Sequence, residues 1–104
     1  MNVQRSKIPD EVPRNLKEQL LLKDAKAGSA KKIQGSPDEA LRDAPRLTAN
    51  YGGNLEDWVK MSSIQAPIIN GASVQVHWFR NTKTLEDVEL KFKRVYPRSA
   101  PKKQ

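Results

Sequence analysis

The chain of 104 residues contains no cysteine and a single histidine, His77. Without thiols there is no disulfide, no thiolate nucleophile and no cysteine-ligated zinc. One imidazole also excludes a multi-histidine metal site within one chain. Aromatic residues are scarce, at 6%. No apolar run approaches the roughly 20 residues of a membrane span, so no membrane-spanning segment is expected. No signal-peptide pattern is present, and export by a classical route is not expected. Paired-carboxylate motifs, Gly-rich phosphate loops and metal-ligand spacings are all missing, so the expected cofactor is none.

What the chain does have is positive charge. Lys and Arg number 19 against 12 Asp and Glu, a formal net charge of +7, with a pI near 9.9. Such a surface attracts polyanions: nucleic acid, an anionic membrane or an acidic protein. The plainer alternative is a soluble domain with basic tails. The length is that of one small domain, and 37% hydrophobic residues support a modest core.

Residues 1–13 carry two prolines and no periodicity, which reads as an irregular segment. The single domain is placed at 14–96, followed by a basic, Pro-containing tail at 97–104. The stretch RNLKEQLLLKDAKA is built of helix formers, with Leu16, Leu20 and Leu21 or Leu22 on one face and Gly28 as a stop. GSAKKIQG reads as a flexible basic connector. SPDEALRDA reads as a helix capped by Ser36, with Pro37 at its first position, Glu39 completing a capping box and Pro45 ending it. PRLTANYGG reads as a short turn. Asn54 is expected to cap a further helix over LEDWVKM, with Ser62 and Ser63 at its junction to a strand.

After Met61 the period changes to two. SSIQAPII is strand-like, with Pro67 at an edge or bulge. Asn70-Gly71 is a strong hairpin signal. SVQVHWFR alternates, placing Val74, Val76 and Trp78 on one face and Gln75, His77 and Phe79 on the other. VELKFKR sets Val88, Leu90 and Phe92 against Glu89, Lys91 and Lys93. Trp58 and Trp78 are assigned to the core. The expected fold is therefore α+β, with N-terminal helices packed on one face of a small antiparallel sheet.

Matching the faces of these two strands permits two registers. In one, His77 lies opposite Lys91; in the other it lies opposite Glu89. Either way His77, Glu89, Lys91, Lys93 and Gln75 share the less apolar face, which is expected to stay uncovered. That set suits metal-free RNA cleavage. An imidazole titrates near neutrality and can move a proton, while ammonium and guanidinium groups bind phosphate and stabilise the charge that develops on it. Phe79 or Trp78 can stack an unpaired base. A lone histidine on a strand is more often a satisfied surface residue than a catalyst, and the lysines also fit a solvated edge.

The segment YGGNLEDWVKMSS followed by NGASVQVHWFRNTKTLEDVELKFKR resembles the C-terminal toxin domains of bacterial contact-dependent growth inhibition and related polymorphic toxin systems. The matching residues are Gly53, Asp57, Trp58, Lys60, Ser62, His77, Trp78, Asn81, Lys83, Thr84, Val88, Glu89 and Lys91. They span roughly residues 50 to 94. One departure is Leu85, where the family usually has glycine after Lys-Thr.

The resemblance implies a transfer-RNA nuclease with a fold similar to the barnase–EndoU–colicin–RelE ribonucleases. It implies a cognate acidic immunity protein and, for some members, presentation of the tRNA by elongation factor Tu. The domain would be exported as the C-terminal part of a larger surface protein and act in the target-cell cytoplasm. His77, Glu89, Lys91 and Lys60 are the catalytic candidates. Arg80, Asn81, Thr84, Ser62 and Lys93 are the substrate-binding candidates. The expected product is a 2′,3′-cyclic phosphate. The rival readings are a non-catalytic basic RNA-binding module and a DNA-degrading toxin, which the lack of clustered metal ligands disfavours.

Overall fold

The computed structural model describes residues 7–97, and the expectations for 1–6 and 98–104 lie outside them. Helix α1 (Leu16–Lys26) opens where Asn15 Oδ1 accepts from the Glu18 backbone N–H at 2.9 Å. It closes before Gly28, at φ +130°, a backbone conformation only glycine adopts freely. Its buried face is Glu18, Leu21 and Ala25, whereas Leu16 and Leu20 are 66% and 50% exposed. The expected Leu16/Leu20 face is thus turned outward. The rotation follows a buried ion pair: both carboxylate oxygens of Glu18 accept from Arg94, each at 2.8 Å.

Three segments differ from the sequence reading. The expected connector contains strand β1 (Ala30–Gln34), because the open edge of its neighbour offers a full row of backbone partners. Residues 36–43 form no helix. Ser36 and Glu39 close a local turn instead, with the Glu39 N–H donating to Ser36 Oγ at 3.0 Å. Pro45 starts a helix rather than ending one: α2 is Ala44–Tyr51, with proline in its first turn, where its missing N–H costs nothing. Asn54 does form a capping box with Asp57, but around a single 3₁₀ turn (Leu55–Asp57). The chain then extends into strand β2 (Trp58–Ser63). Apolar residues at 58, 59 and 61 fit either period in so short a stretch. Ser62 and Ser63 accordingly lie within a strand.

The hairpin signal is realised. Strand β3 (Ile68–Ile69) turns through Asn70 (φ +50°) and Gly71 (φ +85°) into β4 (Ala72–Asn81). The last strand is β5 (Asp87–Val95). The sheet is antiparallel in order β1-β2-β4-β3, with β5 along the other edge of β4, and it curls into a half-barrel. Where β2 leaves β4, the Ser63 hydroxyl and the Pro67 carbonyl accept from the Val76 and Val74 N–H groups.

Of the two registers, the structure takes the one pairing His77 with Lys91 and Gln75 with Lys93. Beyond His77 the ladder slips by one residue, so that Phe79 pairs with Val88. The slip is a β-bulge at Glu89, which takes φ +58°. It corrects the expected alternation. Leu90 and Phe92 pack with Val74, Val76 and Trp78 on the α1 side, whereas Val88 joins Leu41, Ala44, Leu47 and Trp58 on the α2 side. The molecule is therefore an α+β fold whose two helices cover opposite faces of the sheet, not one face as expected.

Residues 7–13 are irregular but not detached. Glu11 N–H donates to the Leu90 carbonyl, and the Asp10 and Glu11 carboxylates accept from the Leu90 and Phe92 N–H groups at 2.8 and 2.9 Å. This strap satisfies part of the open edge of β5, which would otherwise invite pairing with another chain.

Candidate functional site

The face of β4 that bears His77 and Phe79 is the one α2 approaches. Because α2 covers the Trp58/Phe79/Val88 end, the uncovered face expected from the sequence becomes a cavity of about 270 Å³. Its lining includes Lys60 of β2, His77 and Phe79 of β4, Glu89 and Lys91 of β5, Arg46 and Asp43 from the α2 end, and Ile8 of the N-terminal strap.

His77 sits in the middle of the sheet, level with Ser62 on one side and Lys91 on the other. It is only 8% exposed, and its Nε2 is buried with no hydrogen-bond partner. Native buried polar atoms nearly always have one. Burial, followed by the positive charges of Lys60, Lys93 and Lys91, pushes the imidazole down to about 4. At neutral pH it is uncharged, with an unanswered ring nitrogen in a cationic surrounding. Lys60 Nζ lies 6.0 Å from the Phe79 ring centroid, a contact that holds the ammonium near the pocket.

Glu89 shares this site but is not free. Its Oε2 accepts from Arg46 Nη1 at 2.7 Å and from the Tyr51 hydroxyl at 3.0 Å. Burial, reinforced by Glu89, drives the Tyr51 hydroxyl up to about 12, so it stays a proton donor. Arg46 is held in its charged form by the same carboxylate. Glu89, expected as the complementary base or as the group that orients His77, is here engaged by Arg46 and Tyr51 and anchors α2 to the bulge.

The other candidates separate. Lys60 and Lys91 line the cavity with His77, and Lys93 contributes charge from the next position on that face. Ser62 is buried, and its hydroxyl donates to the Ser63 carbonyl at 2.8 Å. Arg80 lies on the opposite face. Its guanidinium binds Asp87 through Nε at 2.7 Å and Nη2 at 3.2 Å. Lys26 and the Trp78 indole N–H bind that same carboxylate. Burial alone would raise Asp87, but these cations outweigh it and hold the carboxyl low. Strand alternation puts successive residues on opposite faces, so Arg80 cannot share the His77 pocket. Asn81 is a turn organiser: its Oδ1 accepts from the Lys83 and Thr84 N–H groups at 2.8 and 3.0 Å. Thr84 is exposed in that turn, its hydroxyl oxygen accepting from the Glu86 N–H.

Arg46, Tyr51 and Ile8 were not anticipated. A readable signal existed for the first two: Pro45 in a first turn with Ala44, Leu47 and Tyr51 at spacings of three and four marks a helix with one apolar face. Among the described residues no three His, Cys, Asp or Glu side chains cluster as metal ligands, and no helix is long and apolar enough to cross a membrane. Compared with known proteins, the chain matches no family model, no curated protein and no solved structure.

Proposed function

We propose that this chain is a metal-independent ribonuclease toxin that cleaves tRNA to a 2′,3′-cyclic phosphate in competition between bacteria. The observation that carries the reading is the unpartnered Nε2 of His77 inside a cavity it shares with Lys60 and Lys91. Cleavage requires that the ribose 2′-oxygen bond to phosphorus as the bond to the 5′-oxygen breaks. A proton leaves the 2′-hydroxyl and a proton reaches the departing 5′-oxygen. His77 Nε2 serves one of these transfers, and a neighbouring ammonium or solvent serves the other. Lys60, Lys91 and Lys93 stabilise the charge on the phosphorane.

Two helices near the start of the described chain, with β1 between them, and the curled antiparallel sheet that follows support a fold of the barnase–EndoU–colicin–RelE kind. The net charge of +7 suits a polyribonucleotide and an acidic immunity protein. Presentation of the tRNA by elongation factor Tu, and delivery as the C-terminal part of an exported surface protein into the target-cell cytoplasm, belong to the same reading.

The test is tRNA cleavage in EDTA by the wild type and by His77→Ala, with the product ends analysed. Cyclic phosphate ends from the wild type, and loss of cleavage in the variant and on 2′-deoxy substitution at the cut, are expected. Undiminished cleavage by His77→Ala would remove His77 from the mechanism.

A second reading is favoured by one observation. Arg46 and Tyr51 occupy Glu89, which leaves His77 without a carboxylate partner. The same cationic cavity would then serve a non-catalytic RNA-binding module. It predicts salt-sensitive binding without strand scission.

A further inference from the structure

We propose that an oxyanion entering this cavity is bound together with a proton taken up at His77 Nε2, so that the ligand's own phosphate converts the neutral imidazole into a proton donor. The inference rests on the reading of the cavity as a phosphate site. It goes beyond that reading by assigning His77 a charge state that depends on the ligand.

The geometry poses a problem that this coupling solves. His77 lines the cavity, and its Nε2 is buried and has no partner. Around it stand Lys60 from β2, Lys91, Lys93 and Glu89 from β5, and Arg46 and Asp43 from the α2 end. Glu89 is neutralised by Arg46 at 2.7 Å, and Asp43 is half-exposed, 3.8 Å from the same guanidinium. The surplus near the ring is thus cationic, and an added proton on the imidazole is repelled. Burial first, and this repulsion second, hold His77 neutral in the empty site. A dianion lying among the Lys60 and Lys91 ammonium groups reverses the sign of the local field and supplies the acceptor that Nε2–H lacks. A single negative charge at about 5 Å, with an effective dielectric near 20, shifts protonation by about two powers of ten.

The proton goes from bulk water to Nε2, and no bond other than N–H is made. For the proposed cleavage the consequence is that His77 enters the reaction as the acid for the 5′-oxygen. Substrate binding raises the fraction of His77 that carries this proton at a given pH.

The test uses sulfate, a dianion that does not titrate between pH 4 and 8, at constant ionic strength on the full chain. The ring resonances of His77, the chain's single histidine, are followed by NMR from pH 4 to 8 with and without saturating sulfate. The midpoint is expected to rise from about 4 by about two pH units. Sulfate affinity should then increase about tenfold from pH 7 to pH 5, by linkage. Calorimetry in buffers of different ionisation enthalpy should show net proton uptake near pH 5. His77→Gln should lose both the pH dependence and the uptake. An unmoved midpoint, or the same pH dependence in His77→Gln, overturns the inference. RNA cleavage is scored separately. Cleavage with an unmoved midpoint sinks this coupling and leaves the ribonuclease reading standing. Coupling without cleavage sinks that reading and leaves the anion site.

Discussion

The Arg46 guanidinium, carried by α2, donates to Glu89 Oε2 at 2.7 Å across 43 residues of sequence. A carboxylate that strand alternation assigns to a reactive face is thereby made the anchor of a helix. Glu89→Gln is expected to lose about 2–4 kcal/mol of stability in urea unfolding, because it leaves Arg46 partly buried without its counter-charge. Tyr51→Phe removes one hydrogen bond to the same oxygen and should cost about 1 kcal/mol. If Glu89 is an anchor and not the base, kcat for RNA in folded Glu89→Gln stays within about tenfold of wild type; a loss of several powers of ten returns it to the chemistry.

Stability should fall with acid in a way that reports on His77. Its folded value of about 4 lies below the ordinary 6.5. The unfolded chain therefore takes up a proton first as the pH drops. The neutral-ring contribution is fully present above pH 6.5 and is lost progressively down to about pH 4, to a total of about 3 kcal/mol. His77→Gln should flatten that part of the stability–pH curve, as measured by urea midpoints at pH 7, 6, 5 and 4.5. A curve unchanged in the variant would mean the ring is not held neutral by its surroundings.

Lysine and arginine substitutions should sort by face. Lys60→Ala and Lys91→Ala are expected to weaken RNA binding and to lower the salt-dependence slope by about 0.7 each, one phosphate contact on a single strand. Arg80→Ala breaks the pair with Asp87 on the other face. It should reduce stability and leave the slope unchanged. Fluorescence titrations at several salt concentrations separate the two behaviours.

Leu85 takes φ +67°, in the turn between β4 and β5. An exposed leucine gains nothing there that offsets the left-handed backbone. Leu85→Gly should therefore raise stability by up to about 1 kcal/mol, while Asn81→Ala, which frees two turn N–H groups, should lower it by about 2 kcal/mol. Thermal unfolding of the two variants checks both signs.

The β4 and β5 strands and the hairpin at Asn70-Gly71 were legible because they depend on local rules: alternation by two, and a turn that needs two positive φ values. The placement of His77 with Lys91 and Lys93 was legible as a shared face, and its register with Lys91 as one of two possibilities, whereas Lys60 was expected on a helix and reaches that face only because its segment is strand β2. Segments with mixed signals were not. LEDWVKM has apolar residues that satisfy both a helix and a strand, and only pairing with β4 decides for β2. The stretch around Pro45 was assigned to the wrong side of that proline, since the ring is tolerated in a first turn yet forbidden further in.

The amino-acid order alone determined that this is a basic, thiol-free α+β domain, with its single imidazole on the same face of a strand pair as lysines. Charge and side-chain period are properties of neighbours along the chain, so they survive without knowledge of the rest. Tertiary structure decided what surrounds that imidazole: the bulge at Glu89, the helix it anchors through Arg46, and the wall that turns a sheet face into a cavity. Those depend on which distant surfaces bury one another, and a one-residue slip between strands is enough to move a side chain from one face to the other.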